Sequence, residues 1–199
     1  MSNKVENIKI VLIGDAGVGK TCIISRYKEN EFNEYMPPTS GASYCQKTIK
    51  IGDKKVLLDI WDTAGQEKFR SIGKIFYQKA EAVCLVYDIS NKASFENLKN
   101  YWYEDLKKHG REDVIIAVVG NKSDLFESQE VDEKQAKDFA KKIGAFFRLT
   151  SAEFNVGINE LFKYLAEKYL SPKNIRGRTE SFLLNNEYNG GCCKKKKCC

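Results

Sequence analysis

The 199 residues suit one ordinary domain plus a tail, and 42% hydrophobic with 12% aromatic side chains is enough for a sizeable packed core. The formal charge is +6, but residues 172–199 carry seven basic and two acidic side chains, a net +5; the remaining body is near neutral, which argues against nucleic acid as a partner. No apolar run nears the roughly 20 residues of a spanning helix, and MSNKVENIKI has no apolar signal-peptide core, so a cytosolic chain is expected.

Hydrophobic runs alternate with amphipathic ones along the chain. Ile8–Ile13 reads as a buried strand and Lys20–Glu29 as the helix after it. Ser43–Ile51 and Lys55–Trp61 form a hairpin around the turn Ile51-Gly52-Asp53-Lys54. AVCLVY, Ala82–Tyr87, is a further core strand, followed by a helix over Ser94–Lys108 with Phe95, Leu98, Trp102 and Leu106 at helical spacing. Val114–Val119 is a strand. Asp132–Ile143 is a helix opened by an Asp cap, Phe146–Leu149 a short strand, and Ile158–Leu170 a closing helix. Such alternation predicts an α/β fold, a mostly parallel sheet covered on both faces. Ligands in such sheets bind at the carboxyl ends of the strands. After Leu170 the sequence is polar, rich in Asn and Gly and without periodicity, which predicts a flexible linker.

Four motifs follow strands. Gly14-Asp15-Ala16-Gly17-Val18-Gly19-Lys20-Thr21 fits G-x-x-x-x-G-K-[ST] between a strand and a helix, a cradle for phosphates. Its glycines let backbone N–H groups face one concavity, and the helix start adds a positive dipole end. Lys20 pairs with the β- and γ-phosphates and the Thr21 hydroxyl ligates Mg²⁺. The cradle alone does not choose between ATP and GTP, or between a kinase and a hydrolase. Asn121-Lys122-Ser123-Asp124 favours guanine. The Asp124 carboxylate can accept from guanine's N1–H and 2-amino group, Asn121 can donate to N7, and the Lys122 stem can lie over the base. Adenine would leave that carboxylate facing a lone pair, a costly mismatch in a buried site. In Thr150-Ser151-Ala152, the Ala152 N–H is a donor for the guanine carbonyl. In Trp61-Asp62-Thr63-Ala64-Gly65-Gln66-Glu67, Asp62 suits Mg²⁺ through water, the Gly65 N–H suits a γ-phosphate and Gln66 suits an attacking water. Thr39 after Pro37-Pro38 completes the metal shell when a γ-phosphate is present, so that both loops order with GTP and release after hydrolysis.

With these motifs in order from Ile8 to Leu170, the sequence resembles a Ras-superfamily GTPase of the Rab family. The resemblance implies a P-loop NTPase G domain over residues 1–171: a three-layer, six-stranded sheet with one antiparallel strand, flanked by five helices. Residues 172–199 would be a hypervariable tail. It implies a GTP hydrolase with Mg²⁺ as cofactor, catalytic roles for Gln66 and Lys20, and metal ligation by Thr21, Thr39 and Asp62. Nucleotide contacts extend to Cys22, Phe32, Ser151 and Glu153. Tyr44, Trp61 and Phe76 match the aromatic triad that Rab proteins present to effectors. WDTAGQEKFR is very Rab-like, and Thr39–Tyr44 mildly resembles the early-endosomal branch. Partners implied are an exchange factor, a GTPase-activating protein, a GDP-dissociation inhibitor or escort protein, and effectors. The place of action implied is the cytoplasmic face of an intracellular membrane, in exchange with the cytosol.

Departures from the family pattern are Ser40 for the usual Ile, Glu153 for Lys, and Ala16, whose methyl sits near Gln66 and predicts slow intrinsic hydrolysis. The cysteines divide as the charge does. Cys22, Cys45 and Cys84 lie among apolar segments and read as small core residues, while Cys192, Cys193, Cys198 and Cys199 crowd the end. With one His and no second CxxC, a zinc site is not supported. A terminal Cys198-Cys199 resembles the double geranylgeranylation signal of Rab proteins, and Lys194–Lys197 add a polybasic membrane patch. Cys192 and Cys193 are candidates for palmitoylation. His109, at a helix end, complements the dipole, and Trp102 reads as helix packing. Two other classes compete with the GTP switch: a P-loop small-molecule kinase, which would need an acceptor site and an Arg-rich lid, and a scaffold that holds GTP without hydrolysing it.

Overall fold

A computed structural model describes residues 5–37, 39, 42–63 and 75–171. Its strands are β1 (Glu6–Ile13), β2 (Ala42–Ile51), β3 (Lys54–Thr63), β4 (Ala82–Asp88), β5 (Ile115–Asn121) and β6 (Phe146–Leu149). They form one sheet in the order β2-β3-β1-β4-β5-β6, with β2 antiparallel to β3 and the other neighbours parallel. The helices are α1 (Lys20–Glu29), α2 (Lys92–Asn97), α3 (Glu104–His109), α4 (Glu133–Lys142) and α5 (Ile158–Tyr169).

The period of two in each strand divides the core in two. Ile8, Ile10 and Leu12 of β1, with Ala82, Cys84 and Val86 of β4, pack under α1 and α5 beside Ile23, Tyr27, Phe162 and Leu165. The alternate residues Val11, Ile13, Val83, Leu85 and Tyr87 pack on the other face with Phe95, Leu98, Trp102 and Ala136. Burial on both faces is why these strands are apolar without a break. β2 and β3 turn over at Gly52-Asp53, with Ile51 paired to Lys54 and Gly52 at φ 57, a two-residue loop that favours glycine.

Two helix boundaries refine the expected ones. Helix formation after β4 starts at Lys92, because Asn91 caps it by accepting from the Ser94 N–H at 3.1 Å. Between α2 and α3 the helix is not α-helical: Leu98–Tyr103 is a π-helical turn. The Asp132 cap is present, its carboxylate accepting from the Lys134 N–H at 2.9 Å.

β1 has β3 on one side and β4 on the other, so the strand order reverses at its carboxyl end. The crevice there is the switch point of the sheet, the usual ligand position in such folds. Phe162 anchors α5 to α1, fully buried and stacked on Tyr27 at 4.0 Å between ring centroids. Phe162→Ala should cost about 3–5 kcal/mol of stability, read as a lower urea midpoint with an unchanged slope.

Candidate functional site

The loop after β1 is shaped by what its backbone approaches. A Cβ on Gly14 would sit 2.2 Å from the Val86 carbonyl oxygen, so β4 excludes any side chain there. Gly17 and Gly19 have φ of 78° and 91°, left-handed values that glycine adopts without strain. A Cβ on Gly19 would also meet Asn121 Nδ2 at 2.3 Å. α1 opens at Lys20, which is only 5% exposed. Its Nζ donates to the carbonyls of Gly14 and Asp15, both at 2.8 Å. Burial lowers its pKa to about 8, opposed by the charges of Asp62 and Asp15.

Beside it, the Thr21 hydroxyl donates to Asp62 Oδ2 at 2.6 Å, and Thr39 Oγ1 lies 2.8 Å from Thr21 Oγ1 and 3.4 Å from Asp62 Oδ2. The three predicted metal ligands, brought from α1, β3 and the segment before β2, therefore meet at one point. Asp62 Oδ1 is buried with no hydrogen-bond partner among the described residues. Burial raises the Asp62 pKa, opposed by the Thr21 hydrogen bond, the Lys20 charge and the Thr39 hydrogen bond. A carboxylate oxygen buried without a partner next to two hydroxyls is a donor set suited to a hard dication.

At the other end, Asn121 closes β5. Its Nδ2 donates to the Val18 carbonyl at 2.9 Å and its Oδ1 accepts from the Thr150 hydroxyl at 3.0 Å. Lys122 holds φ 62, and its ammonium pairs with Asp88 Oδ2 at 2.6 Å at the end of β4. The Ser151 hydroxyl donates to Asp124 Oδ1. Between the two ends runs a cavity of about 390 Å³, within the range of small-molecule sites. Ala16, Gly17, Gly19, Lys20, Thr21 and Cys22 line it, with Phe32 and Thr39 from the segment before β2. Asn121, Lys122, Asp124, Ala152 and Glu153 continue the lining. Burial raises the Cys22 thiol pKa, which keeps it protonated.

Some expected residues stand differently. Asp15 takes part through its carbonyl, while its carboxylate points to the helix after β4. Val18 and Ser151 support the cavity from behind. Gly65 and Gln66 lie outside the described residues, as do Ser40, the cysteines Cys192, Cys193, Cys198 and Cys199, and Lys194–Lys197. Tyr44, Trp61 and Phe76 form a continuous ladder, with ring centroids 4.9 and 5.2 Å apart and Tyr44 47% exposed. His109 does more than face a helix end: its Nδ1 lies 3.0 Å from the Asp105 carbonyl oxygen and 3.1 Å from the Asp105 carboxylate.

Arg26 was not legible from any motif. From α1 it donates to the carbonyls of Ala152 (2.7 Å), Glu153 (2.8 Å) and Asn30 (2.6 Å), and it lies 6.0 Å from the Phe32 ring. Residue 153 is thus held by its carbonyl, which any residue carries. Gly19→Ala should remove the close approach of loop and Asn121 and impose left-handed strain, costing about 1–3 kcal/mol; a fall in the thermal midpoint would show it, and an unchanged midpoint would count against this geometry.

The Ras family model matches residues 9–171. The chain is similar to Ras-related protein Rab5A of Oryza sativa subsp. japonica, 35% identical over 99% of this chain and 97% of that one. It is similar to human Ras-related protein Rab-22A, 38% identical over 96% and 97%. It is also similar to human Ras-related protein Rab-31, 41% identical over 82% and 84%. These matches set aside the small-molecule kinase and the non-hydrolysing scaffold. The chain belongs to the Ras family, in its Rab branch: it is a small GTPase that binds GTP and GDP, hydrolyses GTP, and works with regulators and effectors in membrane trafficking.

Proposed function

We propose that Gly14–Thr21 holds the phosphates of GTP or GDP and that Asn121, Lys122, Asp124 and Ala152 hold the guanine. The carrying observation is that one cavity is lined by Lys20, Thr21 and Thr39, with Asp62 hydrogen-bonded behind the two threonines, and also by Asn121, Asp124 and Ala152. Thr21, Thr39 and Asp62 are the residues that would hold Mg²⁺, which when bound offsets charge on the β- and γ-oxygens. Lys20 is poised to exchange two backbone carbonyls for phosphate oxygens, and its desolvated cation gains most from an anion. Gln66 orients the water that attacks the γ-phosphorus, the bond to the β–γ bridging oxygen breaks, and GDP with inorganic phosphate results. Thr39 and Gly65 sense the γ-phosphate, and the Tyr44–Trp61–Phe76 ladder passes that state to effectors.

An exchange factor, a GTPase-activating protein and a GDP-dissociation inhibitor or escort protein would time the cycle. Geranylgeranyl groups on Cys198 and Cys199, with Lys194–Lys197, anchor the protein to the cytoplasmic face of an endosomal membrane, from which it cycles to the cytosol. The likeness to Rab5, Rab-22 and Rab-31 proteins and the segment Thr39–Tyr44 support that location.

Denaturing the purified protein and chromatographing the released base should give about one guanine nucleotide per chain; adenine nucleotide would overturn the base assignment. Asp124→Asn should weaken GDP binding by about a hundredfold or more, because the amide presents a donor where guanine needs an acceptor. Ala16→Gly should raise single-turnover GTP cleavage, and equal rates would rule out crowding by the Ala16 methyl.

A further inference from the structure

A π-helical turn, Leu98–Tyr103, separates α2 from α3. A helix retains such an insertion where something specific offsets it, often at a functional site. Asn97 and Trp102 flank and close this turn, five residues apart. In a regular α-helix two such residues point about 140° apart around the axis. A turn closed by i→i+5 bonds instead brings them nearly above one another. Both then reach one carboxylate: Asn97 Nδ2 donates to Asp15 Oδ2 at 2.6 Å and Trp102 Nε1 donates to Asp15 Oδ1 at 2.8 Å. An unbroken α-helix would offer that carboxylate one of these donors.

We propose that the Asn97–Trp102 π-turn is a latch on the phosphate loop, and that Asp15 is a positioning residue through which it slows nucleotide release. The inference rests on Gly14–Thr21 being the phosphate-binding loop. Two fixings then hold the loop: Asn97 and Trp102 hold Asp15 near its start, and Asn121 holds the Val18 carbonyl toward its end. The first matters because the Asp15 carbonyl is one of the two acceptors that set the Lys20 ammonium. One residue therefore links the helix to the phosphate-binding cation. The two N–H donors also hold the Asp15 charge turned toward the helix. Trp102 is a firm anchor, 2% exposed and edge-on to Tyr101 at 5.1 Å, so its indole moves only with the core.

The test uses the full chain loaded with a fluorescent GDP analogue in Mg²⁺, chased with excess GDP. Asp15→Ala, Trp102→Phe and Asn97→Ala should each speed release, Asp15→Ala by about tenfold, the size of a hydrogen bond to a charged group. Trp102→Phe added to Asp15→Ala should bring no further increase, since both remove one contact. The indole N–H resonance of Trp102, in protein labelled at its two tryptophans, should shift in Asp15→Ala while the spectrum stays folded. Release within twofold of the wild type, additive effects, or an unmoved indole resonance would overturn the latch alone. A wild-type chain that fails to retain the analogue would overturn the phosphate-loop assignment, and the latch with it.

Discussion

The buried carboxamide of Asn121 joins three loops that the chain keeps far apart. Its Nδ2 holds the Val18 carbonyl in the loop after β1, and its Oδ1 holds the Thr150 hydroxyl after β6. It stands at the end of β5, and its own carbonyl accepts from the Ile89 N–H after β4 at 3.1 Å. The side chain is 1% exposed, so an unmet donor or acceptor there would carry the full desolvation penalty. Gly19 must be glycine because this amide approaches so closely. The site's geometry thus depends on one residue that satisfies itself only when all three loops are in place.

Around that staple the sheet brings opposite chemistries to the two ends of one cavity. One end gathers the desolvated Lys20 cation and the Asp62 carboxylate, whose Oδ1 has no hydrogen-bond partner among the described residues, groups that an anion and a dication would suit. The base end is held by contacts that are already satisfied: Asp88 on Lys122, Ser151 on Asp124, and Arg26 on the Ala152 and Glu153 carbonyls. On the proposed assignment, a prearranged base pocket and an electrostatically unfinished phosphate pocket suit a protein that keeps its guanine while the γ-phosphate comes and goes. The aromatic ladder from Tyr44 through Trp61 to Phe76 crosses β3 at Trp61, one residue before Asp62, so changes at Asp62 have a short route to the surface.

Much of this was legible in the sequence because the features are local. Strands buried on both faces are apolar without a break, and glycines are required where a backbone passes another. Asp124 and Asn121 announce themselves by following a core strand. What stayed hidden depends on distance or on backbone atoms. Arg26 acts on carbonyls more than a hundred residues away, which no residue type marks. The hold on residue 153 is likewise through its carbonyl, so it does not depend on the Glu that stands there in place of Lys. The stretch LKNYWY carries nothing that distinguishes a π-turn from a plain helix; the partner of its two donors, Asp15, lies in another part of the chain. The Asp15 motif position suggested a nucleotide contact, and only the fold shows the carboxylate facing away.

The most direct test of the staple is amide hydrogen exchange on Asn121→Ala against the wild type. If one carboxamide holds the three loops as a unit, exchange should quicken together in Gly14–Thr21, in Asn121–Asp124 and in Thr150–Ala152, while β1 and α5 keep their protection. Faster exchange confined to the segment around residue 121 would contradict it.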